Sequence, residues 1–110
     1  MKSAQSTVDL SVKVGDVALR NPIMTASGTS GCGEELSRFI ELSSLGAFVT
    51  KGVTLEPRQG NAPPRIVETC GGMLNAIGLQ NVGLECFLQE QLPRLKDCGT
   101  PVIVNIAGNT

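Results

Sequence analysis

Four short stretches of this chain carry residue types at spacings that could do chemistry. Lys51-Gly52 interrupts the apolar, β-prone run from Ala47 to Val53 in "GAFVTKGVT". A lysine is seldom buried unless its charge is paired, so a strand that carries one poses the question of what the ammonium meets. Asn105 stands near the end of a second apolar run, "PVIVNIAG", and Ala26-Ser27-Gly28 closes a third, "IMTASG". Asn75 sits in "MLNAIGL", where its companions Met73, Leu74, Ala76, Ile77, Gly78 and Leu79 are apolar or small. A carboxamide offers both a donor and an acceptor. An ammonium stabilises developing negative charge or pairs with a carboxylate. Glycine lets a flat group approach the backbone closely. Brought to one place, these residues suit a planar heterocycle with a polar edge.

Each stretch also has a plain structural reading, and residue types alone leave both open. Ser27 and Gly28 could simply make a tight turn. Lys51 could snorkel to solvent from the end of its strand. Asn105 could satisfy loop backbone, and "MLNAIGL" could be ordinary core. The glycine-rich "SGTSGCG" fits neither G-x-G-x-x-G in the required frame nor G-x-x-x-x-G-K-[ST], so it is a poor phosphate cradle. Only convergence on a single rim favours a site, and the matching ring would then be a pyrimidine or a flavin.

The elements that must position these residues follow from periodicity. Residues 1–7 form a loose start. "VDLSVKVGDVALRNPI" alternates on both sides of Gly15-Asp16 and predicts a β-hairpin. "IMTASG" is a short strand. A helix is expected from about Gly33, with Leu36, Phe39, Ile40 and Ser43 as its inward stripe and Gly46 as its stop. The Lys51 strand follows. Thr54 to Gly72 reads as a long Pro- and Gly-rich connection with one extended piece at Arg65 to Thr69, a length that usually marks function. A second helix presents Leu84, Phe87, Leu88, Leu92 and Leu95, with Pro93 kinking or tightening it and Gly99 ending it. "PVIVNIAG" is a third strand, apolar on both faces. Such strands alternating with helices predict an α/β chain with a parallel sheet, where function collects at the C-terminal strand ends.

Composition narrows the classes. The chain has 110 residues, a net charge of -1 and three aromatics, all Phe, so neither a basic stripe nor a stacking platform for nucleic acid is present. No apolar run reaches membrane-spanning length, and "MKSAQSTVDL" has no apolar signal core, which predicts a cytoplasmic protein. Cys32, Cys70, Cys86 and Cys98 are widely spaced without a C-x-x-C, and the chain has no histidine. Reduced, structurally ordinary cysteines and no metal site are expected. The missing histidine also removes the commonest general base.

"NPIMTASGTSGCGEE", "TKGVTLEPRQGNAPPRIVET", "GMLNAIGLQNVG" and "VIVNIAGNT" occur in this order. With them the chain, from about Val8 onward, closely resembles the N-terminal part of class 1 dihydroorotate dehydrogenase, and most of all the type B, NAD-linked catalytic subunit. The resemblance implies an α/β fold, the N-terminal part of a (β/α)8 TIM barrel: the hairpin plus about three βα units, as one partial domain over residues 1–110. It implies FMN at the C-terminal rim, contacted by Ala26, Ser27, Gly28, Lys51, Gly52 and Asn105. Orotate or dihydroorotate would meet Lys51, Asn75, Ala76, Ile77, Gly78 and Leu79, with Asn75 bonding the ring.

The same resemblance implies oxidation of dihydroorotate to orotate in de novo pyrimidine (UMP) biosynthesis. Electrons would pass to NAD+ through a partner subunit carrying FAD and an iron–sulfur cluster, in a heterotetramer built on a homodimer. The type B catalytic base is a cysteine on a later loop, which none of the four cysteines here matches, so the base is expected beyond Thr110. Residues 1–110 alone are therefore expected to be an inactive fragment. The alternatives are a related fumarate-linked dihydroorotate dehydrogenase, a dihydropyrimidine dehydrogenase, or a non-catalytic truncated barrel module. No nucleic-acid or membrane partner is expected.

Overall fold

The computed structural model describes residues 8–108. The loose start read at residues 1–7, and Asn109 and Thr110 of the last motif, lie outside them. The predicted hairpin is present. Strand β1 (Val12–Val14) pairs antiparallel with β2 (Val17–Leu19) around a turn in which Gly15 has φ 58, a left-handed conformation open to glycine at no steric cost.

Three chain segments then run parallel in sequence order. Met24 bridges Ala47, strand β3 (Phe48–Val49) pairs with β6 (Val102–Ile103), and Val53 bridges Ile106. The Lys51 strand is thus central, flanked by the "IMTASG" segment and by "PVIVNI". This is the mixed α/β arrangement that the alternation predicts, but the described residues form no closed barrel. The flanking segments are also less covered than two apolar faces would imply. Val104 and Ile106 are exposed, and β6 is half-buried.

The first helix is shorter than its stripe suggests. Helix α1 (Glu34–Ser37) makes one turn, and the chain re-enters the core through a 3₁₀ turn (Leu42–Ser44). Phe39 is 83% exposed and Ile40 is exposed, so neither is an inward residue. Leu42 and Leu45 take their place, packing with Phe48 and Leu95, while Leu36, Cys98 and Val102 lie against that cluster. Gly33, which opens α1, explains the tight entry. Its φ is 90, and a Cβ there would lie 2.8 Å from Leu95 Cδ2.

The Thr54 to Gly72 connection is not one loop with an isolated extended piece. Strand β4 (Ile66–Thr69) turns at Cys70-Gly71 into β5 (Gly72–Asn75), pairing Ile66 with Asn75 and Thr69 with Gly72. The exposed, non-alternating "GMLN" hid this second arm. Beyond it, α2 (Leu84–Cys86), a π-turn (Phe87–Gln91) and α3 (Leu92–Leu95) form one helical stretch. Pro93 is the physical cause of the π-turn. It has no N–H to give the Gln89 carbonyl, and just before it the Leu92 N–H reaches back five residues to the Phe87 carbonyl. The rephased helix buries Phe87 and Leu95 but leaves Leu84 and Leu88 exposed, which corrects the five-residue face. No helix among the described residues is long and apolar enough to cross a membrane.

Candidate functional site

The Lys51 stretch is built by a break in the parallel ladder. Phe48 and Thr50 donate their N–H groups to the carbonyls of Pro101 and Ile103, as a regular ladder requires. The next rung joins the Val53 N–H to the Asn105 carbonyl. The central strand therefore advances from 50 to 53 while its neighbour advances from 103 to 105. One extra residue has been inserted, which is a β-bulge at Lys51-Gly52. Bulges re-aim side chains and interrupt pairing. Here the Lys51 N–H leaves the ladder and donates to the Gly31 carbonyl at 3.2 Å.

Two threonine hydroxyls hold the central strand on either side of this break. Thr25 Oγ1 accepts from the Val49 N–H at 2.7 Å and donates to the Val49 carbonyl at 3.1 Å. Thr50 is fully buried; its Oγ1 accepts from the Asn105 N–H at 3.2 Å and donates to the Lys51 carbonyl at 3.0 Å. Residue types alone did not single out either threonine, since a β-branched residue in a strand looks like ordinary propensity.

Beside the bulge, buried Gly52 meets two of the predicted site residues. A Cβ at Gly52 would lie 3.0 Å from Leu79 Cδ1 and 3.4 Å from Asn105 Nδ2. Leu79 has φ 54, rare for a branched side chain. Asn81 pins it there. The Asn81 carboxamide donates to the Leu79 carbonyl and to Thr54 Oγ1, both at 2.9 Å, and accepts from the N–H groups of Thr54 and Gly83. Asn61 and Arg65 brace the same loop. Asn61 gives its N–H to the Ile77 carbonyl and its Nδ2 to the Ala76 carbonyl, while Arg65 reaches Gln80 Oε1 at 2.7 Å. Asn81 was also missed, and its only signal was a position just after the singled-out stretch.

The structure thus brings Gly52, Leu79 and Asn105 into contact and sets Lys51 next to them. Ala26, Ser27 and Gly28 lie on the neighbouring parallel segment, where the Ala26 carbonyl accepts from the Thr29 N–H at 3.1 Å to make the tight turn. The Met24–Ala47 bridge and the pairing of Val49 with Ile103 put this turn, the bulge and Asn105 toward the same C-terminal end of the parallel segments. Asn75, Ala76 and Gly78 are exposed on and just after the β4–β5 hairpin, apart from the Gly52 contact, and Ile77 is half-buried.

Lys51 and Gly52 also line a cleft of about 490 Å³ shared with Cys32, Glu35, Arg58, Gln80 and Arg94. Asn75, Asn105 and Ala26 to Gly28 are not among its walls, so the cleft and the strand-end rim meet only at the bulge. Burial pushes the Cys32 thiol up from its ordinary value and Glu35 adds to this, against an opposing pull from Lys51. All four cysteines are free thiols. Among the described residues no group of three His, Cys, Asp or Glu could hold a metal ion.

Fold and rim together define a class: a parallel α/β protein that gathers a lysine and small and carboxamide residues where its strands end. The family model for dihydroorotate dehydrogenase matches residues 9–110, and the chain belongs to that family of oxidoreductases. It is 59% identical over 102 residues to the protein of Geobacter sulfurreducens named dihydroorotate dehydrogenase B (NAD(+)), catalytic subunit, covering 93% of this chain and 33% of that one. Like-named proteins of Geotalea uraniireducens and Pelobacter propionicus are 60% and 58% identical, again over 93% of this chain and 33% and 34% of theirs. The chain spans about a third of the length of the curated relatives it matches.

Proposed function

We propose that this chain forms the flavin- and substrate-facing rim of the catalytic subunit of an NAD-linked dihydroorotate dehydrogenase, the whole protein being a closed (β/α)8 barrel. One contrast carries the reading. Asn21, Asn61 and Asn81 spend their carboxamides on hydrogen bonds to the chain. Asn75 and Asn105 take part in no side-chain hydrogen bond among the described residues, and neither does the Lys51 ammonium or the Ser27 hydroxyl. The polar groups matched to the ring are thus left free of the side-chain bonds that tie Asn21, Asn61 and Asn81 to the chain.

The residues present fit FMN. Gly28 has an ordinary φ, and a Cβ there would meet nothing within 4 Å, so the fold itself does not call for glycine. A flat ring lying against the turn would. Ala26, Ser27, Gly28, Lys51, Gly52 and Asn105 would hold the cofactor, and Lys51 with Asn75 to Leu79 would face the substrate. When bound, FMN supplies the hydride acceptor for oxidation of dihydroorotate to orotate. The role of this chain is to pair the Lys51 ammonium with the anionic ligand, to orient the ring edge through Asn75 and Asn105, and to exclude water with the Leu79 side of the loop. The relatives' name supports NAD+ as final acceptor and a partner subunit that relays electrons, which we place, with FAD and an iron–sulfur cluster, in cytoplasmic de novo pyrimidine synthesis.

A chimaera tests this. The matching third of the Geobacter sulfurreducens relative is replaced by this chain, then assayed for bound flavin and for dihydroorotate oxidation. A yellow, active chimaera that loses about 10²–10³ in turnover on Lys51→Ala is expected. A colourless chimaera, or one indifferent to Lys51→Ala, would overturn the reading.

A further inference from the structure

We propose that Thr50 is a positioning residue whose buried hydroxyl sets the relative placement of Lys51 and Asn105. The inference rests on the function proposed above. In a regular parallel ladder the Asn105 N–H would donate to the main-chain carbonyl of residue 50. At the bulge it donates instead to Thr50 Oγ1 at 3.2 Å, and the same oxygen donates to the Lys51 carbonyl at 3.0 Å. One hydroxyl is therefore fastened to the backbone of both rim residues. It lies one residue from Lys51 and bridges the strands where the ladder skips, between the Ile103 and Asn105 rungs.

The side chain is fully buried and is not among the walls of the cleft that Lys51 lines, so its reach is to the backbone and not to a ligand. Its removal would strand the Asn105 N–H, because Thr50 Oγ1 is the acceptor assigned to that N–H among the described residues. A half-buried donor without a partner favours local rearrangement, and at the bulge the regular ladder is already interrupted. The expected consequence is a shift of Lys51 relative to Asn105, with the fold retained. Thr100 offers a matched control. Its hydroxyl donates to the Leu45 carbonyl at 2.8 Å at the opposite end of the same strands.

The variants are Thr50→Val, which keeps shape and loses the hydroxyl, Thr50→Ser, which keeps the hydroxyl, and Thr100→Val. In the chimaera, Thr50→Val should retain flavin and lower kcat by about tenfold to a hundredfold, the range for small misplacement of a reacting geometry. Thr50→Ser should restore most of that loss, and Thr100→Val should leave kcat within about twofold at a similar loss of Tm. In parallel, hydrogen exchange at the Asn105 amide of the chain should accelerate at least tenfold in Thr50→Val and not in Thr100→Val. Equal kcat effects of Thr50→Val and Thr100→Val, failure of serine to rescue, or unchanged exchange at Asn105 would overturn the proposal. A flavin-free, inactive parent chimaera would instead sink the functional reading, and the exchange measurement would still decide the role of Thr50.

Discussion

Gly52→Ala tests whether Gly52 serves the proposed site or only the fold, because the structure sets opposite expectations at two glycines. Gly52 has no left-handed φ, so alanine brings no backbone strain there. The whole cost is the new Cβ, 3.0 Å from Leu79 Cδ1 and 3.4 Å from Asn105 Nδ2. Ordinary contact begins near 3.4 Å, so Leu79 must give by a few tenths of an ångström. It cannot retreat through its backbone, which holds φ 54 under the Asn81 clamp, and the strain passes into the Leu79 side chain. Overpacking of this kind costs about 1 kcal/mol, roughly 4–8 °C in Tm for a domain near this size. Displacing Leu79, and filling the space between it and Asn105, should cost far more in chemistry, up to about a hundredfold in kcat/KM. Gly33→Ala should do the reverse. Its φ of 90 and its 2.8 Å approach to Leu95 Cδ2 load the core, at about 1–2 kcal/mol for the left-handed backbone and about 1–3 for overpacking, with the rim untouched. The assay pairs thermal unfolding of the chain with kcat/KM and flavin content in the chimaera. If Gly52→Ala kept normal kcat/KM, or if both glycines lost only stability, the argument that Gly52 sets the rim would fail.

The asparagines give a second contrast. Asn81→Ala removes four bonds that hold Leu79, Thr54 and Gly83 and should destabilise by about 1–3 kcal/mol. Asn105→Ala should change unfolding by no more than about 0.5 kcal/mol while weakening flavin or orotate binding; a large loss of Tm would show that its carboxamide serves the fold. Cysteine reactivity tests the electrostatics of the cleft. At pH 7.5 iodoacetamide should label exposed Cys70 well before Cys32, whose raised pKa keeps it a neutral thiol. The folded state holds that proton to higher pH than the unfolded state, so its contribution to stability is full below about the ordinary thiol value of 9.0 and drains away as pH rises through the folded pKa. Cys32→Ser should flatten that alkaline decline, and an unchanged slope would refute the assignment.

Much of the architecture was legible because it rests on local pattern. The hairpin around Gly15-Asp16 follows from alternation and a turn pair, and the parallel order of the three segments follows from apolar runs separated by helical spacing. What failed was wherever register or tertiary contact decides. Phe39 and Ile40 sit at helical spacing from Leu36, yet α1 stops after one turn at Ser37 and the burial passes to Leu42 and Leu45, which pack with Phe48 and Leu95. The β5 arm was missed because "GMLN" pairs with "IVET" without burying a face, so no period of two is written into it.

The site divides along the same line. Lys51, Gly52 and Asn105 were visible as residue types out of place in their apolar runs, and a misplaced type is what a sequence can show, whereas Leu79 came only with the family resemblance. Thr25, Thr50 and Asn81 were invisible because each is the type that its position would ordinarily hold. The bulge belongs to neither class. It is an offset between two strands, 50 to 53 against 103 to 105, and no property of either strand alone records it. Yet the offset answers the question that Lys51 poses. A lysine at a paired position of the central strand would be trapped between neighbours on both sides. At a bulge its amide leaves the ladder for Gly31, its carbonyl is taken by Thr50, and the ammonium makes no ion pair among the described residues. The backbone is fixed and the charge is uncommitted, the condition that an anionic ligand requires of its partner.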